Sequence, residues 1–255
     1  MLAASAPDLM AADLALVPAP VPVVINNWSG LYLGAHIGVA WPVSSPNWSF
    51  ADENLVFDPQ SIPVGPTFGA VGGVHGGYNW QFAPAWIVGV EGDVSWSSLG
   101  QQPSSVPFTI GGVPLPNSSI SMSANLNWLS TVRGRFGYLV LNDLMLFVTG
   151  GGAWANTEYT ARTSMVPLVN PVTSSTSFTR NSSGWVLGGG VEWMAGPNFL
   201  VRAEYLYYGF NNNNVTASTF LCEAGGACSF LPLAVDHTWT AYSVQVGRVG
   251  ASYKF

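Results

Sequence analysis

Residues 131–138 read Thr131-Val132-Arg133-Gly134-Arg135-Phe136-Gly137-Tyr138. Val132, Phe136 and Tyr138 fall on one side of an extended chain, and Thr131, Arg133 and Arg135 fall on the other, because successive strand side chains point to opposite faces. Upstream, Met122, Ala124, Leu126 and Trp128 continue the apolar side, and Ser123, Asn125 and Asn127 continue the polar one. The spacing predicts a strand over 121–138. A soluble strand of this kind would bury its apolar side in a core and carry charge elsewhere. Only 8% of the 255 residues are charged, against about 25% in an ordinary soluble domain. Hydrophobic residues make up 48% and the mean hydropathy is +0.29. The 29 Gly and 18 Pro are scattered through the apolar stretches, which opposes a helical bundle. A closed β-barrel in a membrane reconciles these facts, because each of its strands needs only one apolar face.

Seven more stretches alternate with the same period: 30–41, 68–81, 86–97, 144–157, 183–193, 199–210 and 239–255. The stretch 144–157 begins apolar on both faces. In the last, Val244 and Val246 share parity with Arg248 rather than with Val249 and Tyr253, which predicts a bulge near Gly247. Eight ions, Glu91, Asp93, Arg133, Arg135, Glu192, Arg202, Glu204 and Arg248, all lie on the polar, Gly-rich face. Lipid does not hold a bare charge cheaply, so that face points inward. In the narrow interior of an eight-stranded barrel the eight are expected to pair as a salt-bridge network.

The connections alternate in length. Residues 82–85, 139–143 and 194–198 are short; 42–67, 99–120, 158–180 and 211–238 are long. The expected fold is therefore an all-β, eight-stranded antiparallel up-and-down transmembrane barrel, with short periplasmic turns and long extracellular loops. Trp80, Trp86, Tyr138, Trp193, Phe199, Tyr253 and Phe255 would ring its periplasmic end, and Trp41, Phe68, Trp96 and Tyr207 its outer end. Residues 1–12 read as the remnant of a truncated signal peptide, 13–28 as a Pro-rich periplasmic segment, and 29–255 as the barrel.

The rest of the chain narrows the function. A net charge of −6 with 7 Lys+Arg, none clustered, excludes nucleic-acid binding. Cys222 and Cys228 bracket Glu-Ala-Gly-Gly-Ala. In an exported protein the pair closes a small loop, the alternative being two free buried thiols. His36 and His75 point inward on neighbouring strands, as two hydrogen-bonded lumen histidines or as a ligand site, but a metal needs more ligands than two; no cofactor is expected. His237 and Asp236 are adjacent and so point apart, and no nucleophile elbow or nucleotide loop is present, so no enzyme is expected. Apolar loop residues (Trp48, Phe50 and Ile62 in the first loop, Phe230 and Leu231 in the last) either contact a partner protein or pack on one another to close the barrel.

Several stretches carry a family likeness. They include Trp28-Ser29-Gly30-Leu31-Tyr32-Leu33-Gly34, Gly76-Gly77-Tyr78-Asn79-Trp80-Gln81, Thr131–Tyr138, Gly184–Glu192 and the terminal Val249-Gly250-Ala251-Ser252-Tyr253-Lys254-Phe255. With them the chain resembles the small alphaproteobacterial outer-membrane β-barrel proteins, the porin-family surface antigens of Gram-negative bacteria related in fold to the outer-membrane protein A transmembrane domain. The resemblance implies a structural or antigenic outer-membrane protein embedded in lipid and lipopolysaccharide. It also implies that Tyr253 and Phe255 serve as the signal read by the barrel-assembly machinery. Within the family, pore activity is the alternative function, and a receptor, adhesin or haem-binding role the third.

Overall fold

A computed structural model describes residues 26–43, 47–52, 58–63, 67–165, 172–210, 215–220, 222–223, 234–239 and 243–255. The segment 1–25 and Cys228 lie outside these residues, and with them the signal remnant, most of the Pro-rich segment and the cysteine pairing. Eight long strands form the body: β1 (Gly30–Pro42), β2 (Gly69–Ala83), β3 (Trp86–Val106), β4 (Ser118–Leu141), β5 (Leu144–Met165), β6 (Val172–Gly196), β7 (Phe199–Phe210) and β8 (Val244–Lys254). Each pairs antiparallel with its sequence neighbour, and β8 pairs back onto β1 from Tyr32↔Lys254 to Pro42↔Val244. The ring is thereby closed, which leaves no unpaired barrel edge in lipid. Two-residue turns at 84–85, 142–143 and 197–198 join strands at the end that also holds both termini of the ring.

Alternation decides which way each residue faces. Ile37, Val90, Val132, Val148, Leu187 and Val249 are exposed, whereas His36, Glu91, Arg133, Thr149 and Arg248 are buried. Aromatic side chains band the outside at two levels. Trp86 packs on Tyr138 with ring centroids 4.8 Å apart, and Tyr253 on Phe255 at 5.2 Å, near the turns. Trp41 lies 6.4 Å from Phe68 and 6.3 Å from Tyr205 at the far end, where Trp185 stacks on Tyr207.

Three features differ from the sequence expectation. First, no bulge occurs near Gly247: the β1–β8 register is unbroken. Val244 and Val246 face inward on the same parity as Arg248, because the upper lumen is apolar there. Second, the register shifts between Leu126 and Trp128, so Asn127 is an extra residue in β4. That bulge reverses parity, and Met122, Ala124 and Leu126 are buried inside rather than turned to lipid. Third, the long connections are not plain loops. Strands β3 to β6 run on beyond the aromatic band, by up to about eleven residues in β6. A four-stranded sheet of Asn47–Asp52, Gln60–Pro63, Val215–Phe220 and Ala234–Trp239 stands beside them. The segment ending at Trp239 belongs to this sheet and not to the last barrel strand. Trp48, Phe50, Ile62, Val215 and Trp239 pack into one core with Ile120, Met122, Tyr159 and Ala161. The extracellular half is thus a folded body built on strand extensions.

Candidate functional site

The candidate site is the barrel interior, where eight ions from β3, β4, β6, β7 and β8 converge. Arg133 reaches three carboxylates: Glu91, Asp93 at 2.9 Å and Glu204 at 3.1 Å. Arg135 meets Glu192 at 3.2 Å and Glu91 at 3.7 Å, and its guanidinium lies 4.3 Å from the centroid of the Phe147 ring. Arg202 pairs with Glu91, Glu204 at 3.7 Å and Glu192 at 3.9 Å. Arg248 binds Glu204 at 2.7 Å and Asp93 at 3.2 Å. All eight side chains are buried, four of each sign. An isolated buried ion costs several kcal/mol, and this mesh leaves none isolated.

Neutral side chains complete the layer, and alternation alone did not single them out. Tyr32 donates from its hydroxyl to Glu91 Oε2 at 2.7 Å and accepts from Arg135 Nη1 at 3.1 Å. Thr131 donates to Asp93. Inward parity was the available signal for both. His36 and His75 lie beside this layer with Nδ1 atoms 3.1 Å apart and stacked rings. His36 Nε2 lies 2.8 Å from Ser95 Oγ and 3.1 Å from Arg248 Nη1, and His75 Nε2 lies 2.7 Å from Ser252 Oγ. All four ring nitrogens are engaged within the protein. A Cβ on Gly34 would come within 2.6 Å of His75 Nε2, so only glycine leaves room for the ring there.

Apolar layers close the ionic one from both sides. On the outer side Ala40, Val71, Leu99, Leu129, Leu206, Tyr208, Val244 and Val246 pack together. Above them a cavity of about 20 Å³, room for a single water, is lined by Leu126, Ala155, Tyr159, Phe210 and Val244 together with the polar Thr157 and Ser182. On the periplasmic side Trp28 stands in the mouth of the barrel, fully buried against Tyr32, Ile87, Met145, Phe147 and Leu200. It precedes β1, so no periodicity marked it. Its indole nitrogen donates to the Asn142 carbonyl at 3.2 Å and its backbone N–H to Gln81 Oε1 at 3.1 Å. Lys254 donates to the Asn27 carbonyl beside it. Tyr253 and Phe255 stay exposed on the outside of the same rim. His237 is buried in the extracellular core, edge-on to Phe50 with centroids 5.7 Å apart.

The family model described as "Outer membrane protein beta-barrel domain" matches residues 9–227. The chain belongs to this outer-membrane β-barrel family. The match stops short of β8, although β8 is the strand that closes the ring. Among its relatives, the "31 kDa outer-membrane immunogenic protein" of Brucella melitensis is 29% identical, over 98% of this chain and 95% of its own. The "22 kDa outer membrane protein" of Rhizobium leguminosarum is 32% identical over 58% of this chain and 56% of its own. Among solved structures, the outer-membrane protein OprG of Pseudomonas aeruginosa is 15% identical, covers 89% of this chain and 96% of that one, and has a TM-score of 0.48. This β-barrel protein sits in the outer membrane. Its turn end therefore faces the periplasm and its folded extension faces outward.

Proposed function

We propose that this protein is a closed structural barrel that contributes to envelope integrity and displays its extracellular body on the cell surface. One observation carries the reading: the ionic layer lies between two apolar layers, with Trp28 stoppering the periplasmic mouth. Water wets neither apolar layer readily, and each ion of the layer between them is paired with at least one ion of opposite sign. The same arrangement argues against catalysis, because Glu91, Asp93 and Glu204 are spent on arginines instead of facing a substrate. Surface display is supported by the Brucella relatives, which are named immunogenic. Tyr253 and Phe255, exposed at the end of β8, are proposed as the signal for the assembly machinery.

The test is planar-bilayer conductance of refolded protein, with folding checked first by heat-dependent gel mobility. A silent bilayer is the expected result. Reproducible single-channel steps would overturn the closed reading and make the protein a small porin.

A further inference from the structure

Above the outer aromatic band, β4, β5 and β6 continue as a wall whose inner face carries, among the described residues, a single charge: Arg180. The β5–β6 register is unbroken, so the inward parity of Glu192, Gly190 and Val186 runs up β6 to Ser182, Arg180 and Phe178. Arg180 is half-buried, yet no ion pair or hydrogen bond joins it to another described residue. Glu158, the carboxylate on the neighbouring stretch of β5, faces outward and accepts from Ser177. A charge withdrawn from water normally has a partner. Arg180 stands opposite Thr157, between Phe178 and Ser182. Thr157, Ser182 and Tyr159 line the cavity of about 20 Å³ above Leu126, Phe210 and Val244. Burial raises the pKa of the Tyr159 hydroxyl and the nearby Arg180 charge opposes that rise, so guanidinium and hydroxyl act on one another. Trp239, from the four-stranded sheet, packs on both Tyr159 and Phe178 with ring centroids 5.5 Å apart. It is fully buried and its indole N–H has no partner. On its other edge β6 leaves β7 at Gly184↔Phe210 and next pairs at Thr173↔Cys222, so no described strand is bonded to that edge beside Arg180.

We infer that Arg180, Tyr159 and Trp239 form a binding site for a small organic carboxylate, entered from the open edge of β6. Guanidinium and indole N–H only donate, and a protonated phenol donates as well. With no carboxylate among the described residues of the inner face to compete, the set calls for an anion. One cation matches one negative charge, and a guanidinium fork takes a carboxylate through two parallel hydrogen bonds. The cavity admits one small group. Its Leu126, Phe210 and Val244 side suits the carbon end of the ligand, where a second charge would go unpaired. Arg180 belongs to the strand wall and Trp239 to the four-stranded sheet, so the bound anion ties the two halves of the extracellular body together.

The test titrates refolded protein in phospholipid with sodium acetate at constant ionic strength and follows the Trp239 indole ¹⁵N–¹H resonance, assigned by its loss in Trp239→Phe. Sodium chloride and sodium phosphate are titrated in parallel. Acetate should give a saturable shift at a lower concentration than either inorganic anion. Arg180→Gln, with folding checked by heat-dependent gel mobility, should raise the acetate concentration at half-shift at least about tenfold, the scale of a lost charge-assisted hydrogen bond. Arg180→Lys, which keeps the charge without the fork, should fall between. Arg162→Gln, on the outward face, should leave the titration unchanged. No saturable shift in the unmodified protein would overturn the proposal. So would equal half-shift concentrations for acetate and chloride, which would reduce the site to an unselective charge effect, or an unaltered titration in folded Arg180→Gln. Should Arg180→Gln fail to fold, the comparison of acetate with chloride in the unmodified protein decides.

Discussion

Arg248 Nη1 lies 3.1 Å from Nε2 of His36, across the line where the last barrel strand closes on the first. Arginine only donates, so His36 Nε2 is the acceptor and the His36 proton sits on Nδ1. That proton points at His75 Nδ1, which leaves His75 protonated on Nε2 and donating to Ser252. The expected ¹⁵N spectrum therefore shows opposite tautomers for the two rings. Haemin added to folded protein should give no absorbance shift, since no ring nitrogen is free. Matching tautomers, or a shift that His75→Ala abolishes, would contradict this arrangement.

Arg133 touches three carboxylates, so Arg133→Ala leaves Glu91, Asp93 and Glu204 short of a cation at once. Breaking one partner of a buried ion pair costs about 3–5 kcal/mol. Urea unfolding in vesicles should show a loss of that order, whereas exposed Arg162→Ala should lose under about 1 kcal/mol. Conductance should stay near zero in both.

Trp28→Ala removes the stopper from the periplasmic mouth. Truncating a buried Trp costs about 3–5 kcal/mol. The ionic and outer apolar layers still stand above it, so the variant is expected to be less stable but silent in a bilayer. Steps from Trp28→Ala alone would show that the indole is the gate.

At the extracellular end, Asp58 holds the hairpin tip of Thr109–Pro114. Its carboxylate accepts the N–H of Gly112 at 2.8 Å and of Gly111 at 3.3 Å. Both glycines have positive φ, 57° and 80°, as this tight turn requires. The Gly112 N–H holds the Asp58 carboxyl below its usual range. A depressed carboxyl stabilises the latch above its ordinary pKa and releases it as pH falls through the lower, folded value. The Gly112 amide resonance should therefore titrate with its midpoint below pH 3.8, and Asp58→Asn should abolish that dependence.

Much of the barrel was legible because its signals are local. Alternation in Thr131–Tyr138 places Val132 and Arg133 on opposite faces whatever the neighbours do. The same rule misplaced Met122, Ala124 and Leu126, because one extra residue at Asn127 inverts every position beyond it. The strand extensions were read as loops because a Ser/Thr/Asn-rich outward face and short apolar insides lack the contrast that marks a lipid-facing strand.

By itself the sequence determined the class of fold, the strand order, the inward ions and the membrane. Each follows from period-2 patterning and from the cost of charge in lipid. Only the tertiary structure decided which ion meets which, how the interior layers, and what stoppers it. Arg202 meets Glu91 across 111 residues of chain, and the Trp28 indole meets Asn142 across 114. Such pairings depend on barrel closure and strand stagger, which no local stretch of sequence encodes.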